Sequence, residues 1–230
     1  MSTMTKPNLK GFSMIEVLVT IVILMIGLLG LAGLQARALT SQMESYQRSQ
    51  ALVLLKDMAD RIDANRKAVS CYSITSTQYF GTGSTLPIPT VAACATTIKT
   101  AYDTLHATDT PPVTMSSGTA TAMATSAVDD MNFWHNALLG SAEKQGASNI
   151  GAMIGARGCV YQISASSPGV AGQYVVVVAW QGMNLTAAPD ASTATSPGRC
   201  GFNTYKDKDG VVQERLHRVI SLPINMATLD

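Results

Sequence analysis

Charge is scarce in this sequence. Only 13% of its 230 residues are Asp, Glu, Lys or Arg, and the net charge is +1; soluble proteins carry about twice that share of charge. No long-range field exists to recruit nucleic acid or an acidic partner. Aromatic residues are few, at 6%, and no basic stripe is interleaved with them, which argues against nucleic-acid binding. No CxxC pair occurs, so a zinc ribbon or thioredoxin-like redox site is not expected. G-x-S-x-G, P-loop and HExxH patterns are also missing. The three histidines, His106, His135 and His217, lie in unrelated segments. A lone histidine is more often structural than catalytic, so we expect no enzyme, no metal and no cofactor. Asp207-Lys208-Asp209-Gly210 hints at a calcium loop. In the EF-hand register, however, Tyr205 would hold the first ligand position and Leu216 the twelfth, so a turn is expected. Asn184-Leu185-Thr186 is a sequon, relevant only in a eukaryotic secretory setting.

What the sequence does have is concentrated at its N-terminus. Val17 to Leu34 contains no charge in 18 residues, which makes about 27 Å of helix and just spans a bilayer core. Glu16 stands at its mouth, Gly11-Phe12 comes just before, and Lys6 and Lys10 make a short basic leader whose charge should stay cytoplasmic. Gly27, Gly30 and Gly33 recur at spacing three, which suits close helix packing or a weak point in the helix. An ordinary secretory signal cut near Ala36-Arg37-Ala38 is one alternative, and an uncleaved anchor is another. Against the signal, the apolar run exceeds the usual length of about 7–15 residues, begins with a carboxylate and continues into an amphipathic helix. Cleavage between Gly11 and Phe12 would create an amine one helical turn from Glu16. On a neighbouring copy, that amine could meet the carboxylate inside the membrane.

From Gln35 to about Asn65 there is no Pro or Gly. Leu39, Met43, Tyr46, Leu52, Leu55, Met58, Ala59 and Ile62 recur at spacings of mostly three and four, the pattern of an amphipathic helix. Val69 to Thr75 reads as a short strand, Gly81 to Pro89 as a loop, and Val91 to His106 as a helix. Thr108 to Ser126, rich in Thr, Ala and Ser, reads as an exposed loop. Asp129 or Asp130 would then cap a helix with Phe133, Trp134, Ala137 and Leu138 on its inner face. Period-two patterning follows in Cys159–Ile163 and Tyr174–Trp180. Thr186 to Gly198 is a low-complexity loop. A third strand over Val211–Ile224 follows a hairpin turn at Asp209-Gly210. These pieces predict an α+β fold: a long N-terminal helix, half transmembrane and half amphipathic, on an antiparallel sheet that buries the Leu52–Ile62 stripe. The expected divisions are a cleaved leader at 1–11, a transmembrane part at 12–34, an amphipathic part at 35–66 and a head at 67–230.

Cys71, Cys94, Cys159 and Cys200 all follow the apolar run. Their even number, wide spacing and association with a targeting segment point to two disulfides in an oxidising compartment. Three pairings are possible; the sequence-local one, Cys71–Cys94 with Cys159–Cys200, is favoured.

Gly11-Phe12-Ser13-Met14-Ile15-Glu16 followed by an apolar run resembles the class III leader of type IV pilins and pseudopilins. The resemblance implies a pilin fold, cleavage after Gly11 by a prepilin peptidase, N-methylation of Phe12, and a role for Glu16 as the carboxylate that pairs with a neighbour's N-terminus in assembly. Many major pilins carry a proline near the position of Gly33, and this chain does not. The longer head, the Trp134 helix, the strand ending Trp180-Gln181-Gly182 and the late Cys200 resemble the PilV subgroup of minor pilins. That implies an inner-membrane protein of a Gram-negative bacterium with its head in the periplasm and later at the pilus tip. Its implied partners are other minor pilins, the major pilin and a tip adhesin, and its implied roles are priming of pilus assembly, adhesion and twitching motility. A minor pseudopilin of type II secretion is the alternative. A membrane-anchored periplasmic enzyme, the remaining reading, lacks a catalytic constellation.

Overall fold

The computed structural model describes residues 11–75, 77–84, 88–141, 143–149, 151–167 and 171–226. The basic leader with Lys6 and Lys10, and the middle of the 81–89 loop, lie outside the described residues. The chain separates into two units, Met1–Met43 and Glu44–Asp230.

In the first unit, residues 11–13 precede helix α1, which runs Met14–Ala64. Glu16 sits in its first turn, where a carboxylate complements the positive end of the helix dipole. The helix passes unbroken through Gly27, Gly30 and Gly33, and a Cβ at any of them would meet nothing within 4 Å. It is long and apolar enough to cross a membrane.

In the second unit, α1 buries Gln47, Ala51, Leu55, Met58, Ala59 and Ile62. The expected stripe is buried at Leu55, Met58, Ala59 and Ile62 but not at Leu52, which is 47% exposed. There the buried stripe runs instead through Ala51, whose neighbour Leu52 is turned about 100° away around the helix. After Asn65 comes a 3₁₀ turn, Arg66–Ala68, and a short helix α2, Val69–Tyr72. The strand expected from Val69 is therefore a helical turn. Val69 and Tyr72, both fully buried, share a face only at helical spacing, and this packing overrides local β preference. Strand β1 is Phe80–Gly81, and helix α3 is Val91–Leu105, capped by the Thr90 side chain accepting from the Ala93 N–H.

Helix α4 runs Ser117–Leu138, capped by Ser116 accepting from the Thr119 N–H at 3.1 Å. The exposed loop expected over Thr108–Ser126 thus ends at Ser116. Its second half folds because alanine is the best helix former and Ala120, Ala124 and Ala127 bury on one face. The Thr121 and Thr125 hydroxyls donate to carbonyls one turn back. Asp129 and Asp130 lie within the helix and cap nothing. Phe133 is 52% exposed, while Met131, Trp134 and Leu138 form the inner face. The start of α4 is fixed to α3: Lys99 donates to the Met115 carbonyl and Asp103 accepts from its N–H, both at 2.7 Å.

Strands β2 (Lys144–Gln145) and β3 (Ser148–Asn149) form a small hairpin. The main sheet adds β4 (Arg157–Ser167), β5 (Ala171–Gln181) and β6 (His217–Met226), in the order β1-β4-β5-β6 and antiparallel throughout. The third expected strand starts later than Val211: Glu214–Leu216 is a 3₁₀ turn, and Asp209-Gly210 lies in a turn closed by the single bridge Lys206–Val212.

Strand β5 explains why Tyr174 to Trp180 is apolar without alternation. Tyr174, Val176, Val178 and Trp180 join the cluster containing Leu55, Met58, Ile62, Ile98 and Trp134. Val175, Val177 and Ala179 join a second cluster on the opposite face with Cys159, Tyr161, Cys200 and Tyr205. A strand covered on both faces reads as a continuous apolar run. The second cover is the long connection from β5 to β6, tied down by the Cys159–Cys200 disulfide. The Cys71–Cys94 disulfide ties α2 to α3.

Candidate functional site

The N-terminal site is built from few residues. Gly11 and Phe12 are exposed and outside regular structure, and Phe12 is 84% exposed. A peptidase needs an accessible bond, and both residues flanking this one are exposed. Helix α1 begins two residues later, where the Ser13 carbonyl accepts the Glu16 and Val17 N–H groups. Glu16 is exposed at the head of the apolar helix and pairs with no cation among the described residues. Its carboxylate is left to solvent or to another molecule.

The three histidines serve separate elements. His106 caps α3 and its Nδ1 lies 2.7 Å from Asp109. His135 Nδ1 accepts the Gly81 N–H at 3.1 Å, which holds β1 on α4. His217, at the start of β6, lies against the Tyr205 ring with Nδ1 2.9 Å from Glu214. No group of three or more His, Cys, Asp or Glu among the described residues is placed to hold a metal ion.

Three polar clusters within the second unit were not legible in the sequence. Glu44 accepts the Met183 and Asn184 N–H groups at 3.1 and 3.2 Å and lies 3.5 Å from Arg218, which also donates to the Asn184 carbonyl. It thereby fastens the chain leaving β5 to α1. Arg61 bridges Asp57 and Asp130 at 2.9 and 2.8 Å, and Tyr72 donates to the second Asp130 oxygen at 2.7 Å. Burial, then the Asp130 bond, pushes the Tyr72 hydroxyl far above its ordinary pKa. Asp130 joins α1, α2 and α4; its partners lie 58 and 69 residues away, beyond any local pattern. The third cluster gathers Arg157, Tyr205, His217 and Glu214 under the β5–β6 connection.

Burial depresses the pKa of His217, partly opposed by the bond to Glu214, and burial likewise depresses that of His135. The groups facing His217 are Glu214, Tyr205, Arg157 and the Cys200 backbone. A folded-state pKa below the unfolded value means that the unfolded chain binds more protons in acid. Stability should be full above about pH 6.5, the ordinary histidine value, and should fall as the pH drops below it. Urea midpoints of the full chain in detergent should decline from neutral pH toward pH 5, and His217→Gln should flatten part of that decline. An unchanged slope in that variant would assign the acid sensitivity elsewhere.

Two family models match adjoining segments. The prokaryotic N-terminal methylation motif covers residues 6–32, which include Gly11, Phe12 and Glu16. A model described as type IV pilin Tt1218 covers residues 33–105, from within α1 to the end of α3, with both Cys71 and Cys94. No curated protein and no solved structure matches the chain. Over residues 6–105 the chain is thus similar to type IV pilins, and its long N-terminal helix with an antiparallel sheet is an α+β pilin fold. The two matches support a pilin or pseudopilin subunit, a structural class of protein, processed by a prepilin peptidase and assembled with other pilins. The leader and the apolar helix support membrane anchoring in a bacterium.

Proposed function

We propose that this chain is a minor pilin of the PilV kind in a type IV pilus. A prepilin peptidase cuts after Gly11 and methylates Phe12, leaving residues from Phe12 onward as the mature subunit. Its apolar helix holds it in the inner membrane of a Gram-negative cell, with the head from about residue 67 in the periplasm. It then joins a tip complex with other minor pilins, primes assembly of the major pilin, and supports display of a tip adhesin, adhesion and twitching motility. The observation that carries this reading is the methylation motif over residues 6–32 on an exposed Gly11-Phe12 bond just ahead of an unbroken apolar helix that begins with Glu16. The head adds a structural reason: its conspicuous polar groups serve as ties between elements.

Deleting the gene tests the assignment to a machine. The expected result is a loss of surface pili and twitching while protein secretion stays normal. Normal pili with lost secretion would transfer the chain to a type II secretion system as a minor pseudopilin.

A further inference from the structure

Arg157 is a charged side chain that is only 7% exposed, yet no carboxylate pairs with it among the described residues. It opens β4 and shares the loop-side face of the sheet with Ala179, its partner in β5. Its guanidinium lies 5.0 Å from the Tyr79 ring centre and 4.7 Å from that of Tyr205. Nη1 donates to the Gly155 carbonyl at 2.9 Å, and Nε is buried with no partner. The nearby acid, Glu214, is already committed, one oxygen to the Asn203 N–H at 2.8 Å and the other to His217. Buried charges are ordinarily paired, and an arginine fork matches a carboxylate through two parallel N–H bonds. The unused edge here is Nε with Nη2.

Nη2, unlike the buried Nε, has a way out. Nη2 lies 3.7 Å from where a Cβ on Gly83 would sit, and Tyr79 Oη lies 3.9 Å from the same point. Gly83 is exposed and has φ +72°, so the glycine leaves open the space that a side chain would fill. The turn is held in place by Tyr79 donating to the Gly83 carbonyl at 3.1 Å.

We infer that Arg157, framed by Tyr79, Tyr205 and Gly83, is a receptor for a carboxylate, and that its physiological occupant is an acidic side chain on a neighbouring subunit. The second part rests on the reading of the chain as an assembly subunit. The buried arginine supplies the charge, the two rings fix the plane of its fork, and the bare glycine admits one carboxylate from the surface. Tyrosine stacking alone would explain the rings. It would not explain a charge-bearing edge with a polar atom left unpaired.

The test uses the full chain in detergent, with acetate as probe and chloride as the control at constant ionic strength. The Arg157 Nε–H resonance should shift saturably with acetate in the millimolar range and stay unmoved by chloride. Gly83→Asp, a residue type that tolerates the left-handed backbone, should supply the carboxylate in cis, abolish the acetate response and raise the melting temperature relative to Gly83→Asn. Absence of a saturable acetate shift in the wild-type chain would overturn the receptor. In cells, Gly83→Asp should lower incorporation into filaments about tenfold relative to Gly83→Asn. Acetate binding with equal incorporation of the two variants would overturn the subunit as occupant. If the wild-type chain never enters filaments, the assembly reading falls, and the acetate titration still judges the receptor.

Discussion

Glu16→Ala should leave cleavage after Gly11 and methylation of Phe12 intact and should cut incorporation into filaments by about 100-fold. In the proposed processing the peptidase acts on an exposed bond four residues before Glu16, and nothing in the described chain connects that bond to the carboxylate. Assembly differs. In the proposed mechanism the mature Phe12 amine of one subunit meets Glu16 of the next within the membrane. Removing the carboxylate leaves that amine unpaired in a poorly solvating setting, at a cost of about 2.5–3.5 kcal/mol for a charged group at bilayer depth, or about two powers of ten in occupancy. Glu16→Gln should fall between the two, since it accepts a hydrogen bond without charge. The mass of the mature N-terminus reports processing, and the fraction of subunit in sheared filaments reports assembly. Equal incorporation of the alanine variant would remove Glu16 from the assembly mechanism. Loss of cleavage instead would make it a determinant of processing.

Gly158→Ala should cost about 3 kcal/mol, a large overpacking penalty for a single methyl group. Gly158 lies in β4, paired with Phe80 on one side and Val178 on the other. A Cβ there would sit 2.4 Å from Trp134 Cη2 and 2.7 Å from Leu138 Cδ1. Trp134 cannot swing clear, because it is fully buried and its Nε1 donates to the Leu54 carbonyl at 3.0 Å. The close approach of α4 to the sheet therefore depends on hydrogen at residue 158. Chemical denaturation followed by Trp fluorescence should show a lower midpoint with an unchanged slope, and Trp134→Phe in the same chain should recover part of the loss. An unchanged midpoint would show that the helix can lift away without penalty.

The parts of this molecule that sequence reasoning reaches are those where one local signal has no competitor. Val17 to Leu34 carries no charge, and Tyr174 to Trp180 is β-rich and bounded by glycines; both read directly as elements. Helix α4 does not, because Thr and Ser suggest a loop when counted by composition. Their hydroxyls in fact fold back on the helix while the alanines between them pack inward. Leu52 is lost for a different reason. Periodicity names a face only to within about one residue, and Ala51 is too small to announce itself. The N-terminal candidates, Gly11, Phe12 and Glu16, stand out as a contiguous motif. Arg157, Asp130 and Glu44 carry no such mark, since each acquires its surroundings from residues tens of positions away.

The two disulfides have a mechanical consequence. They join residues 23 and 41 positions apart, so a load applied along the chain bypasses both enclosed segments. Stretched out, those segments would otherwise pay out about 200 Å of chain. The enclosed parts include β1 and the whole of β5, so the central strand cannot be drawn out by tension. Under traction the stretch between the two loops, which holds α4, still bears the load, whereas the two enclosed loops are shielded until a sulfur–sulfur bond is reduced.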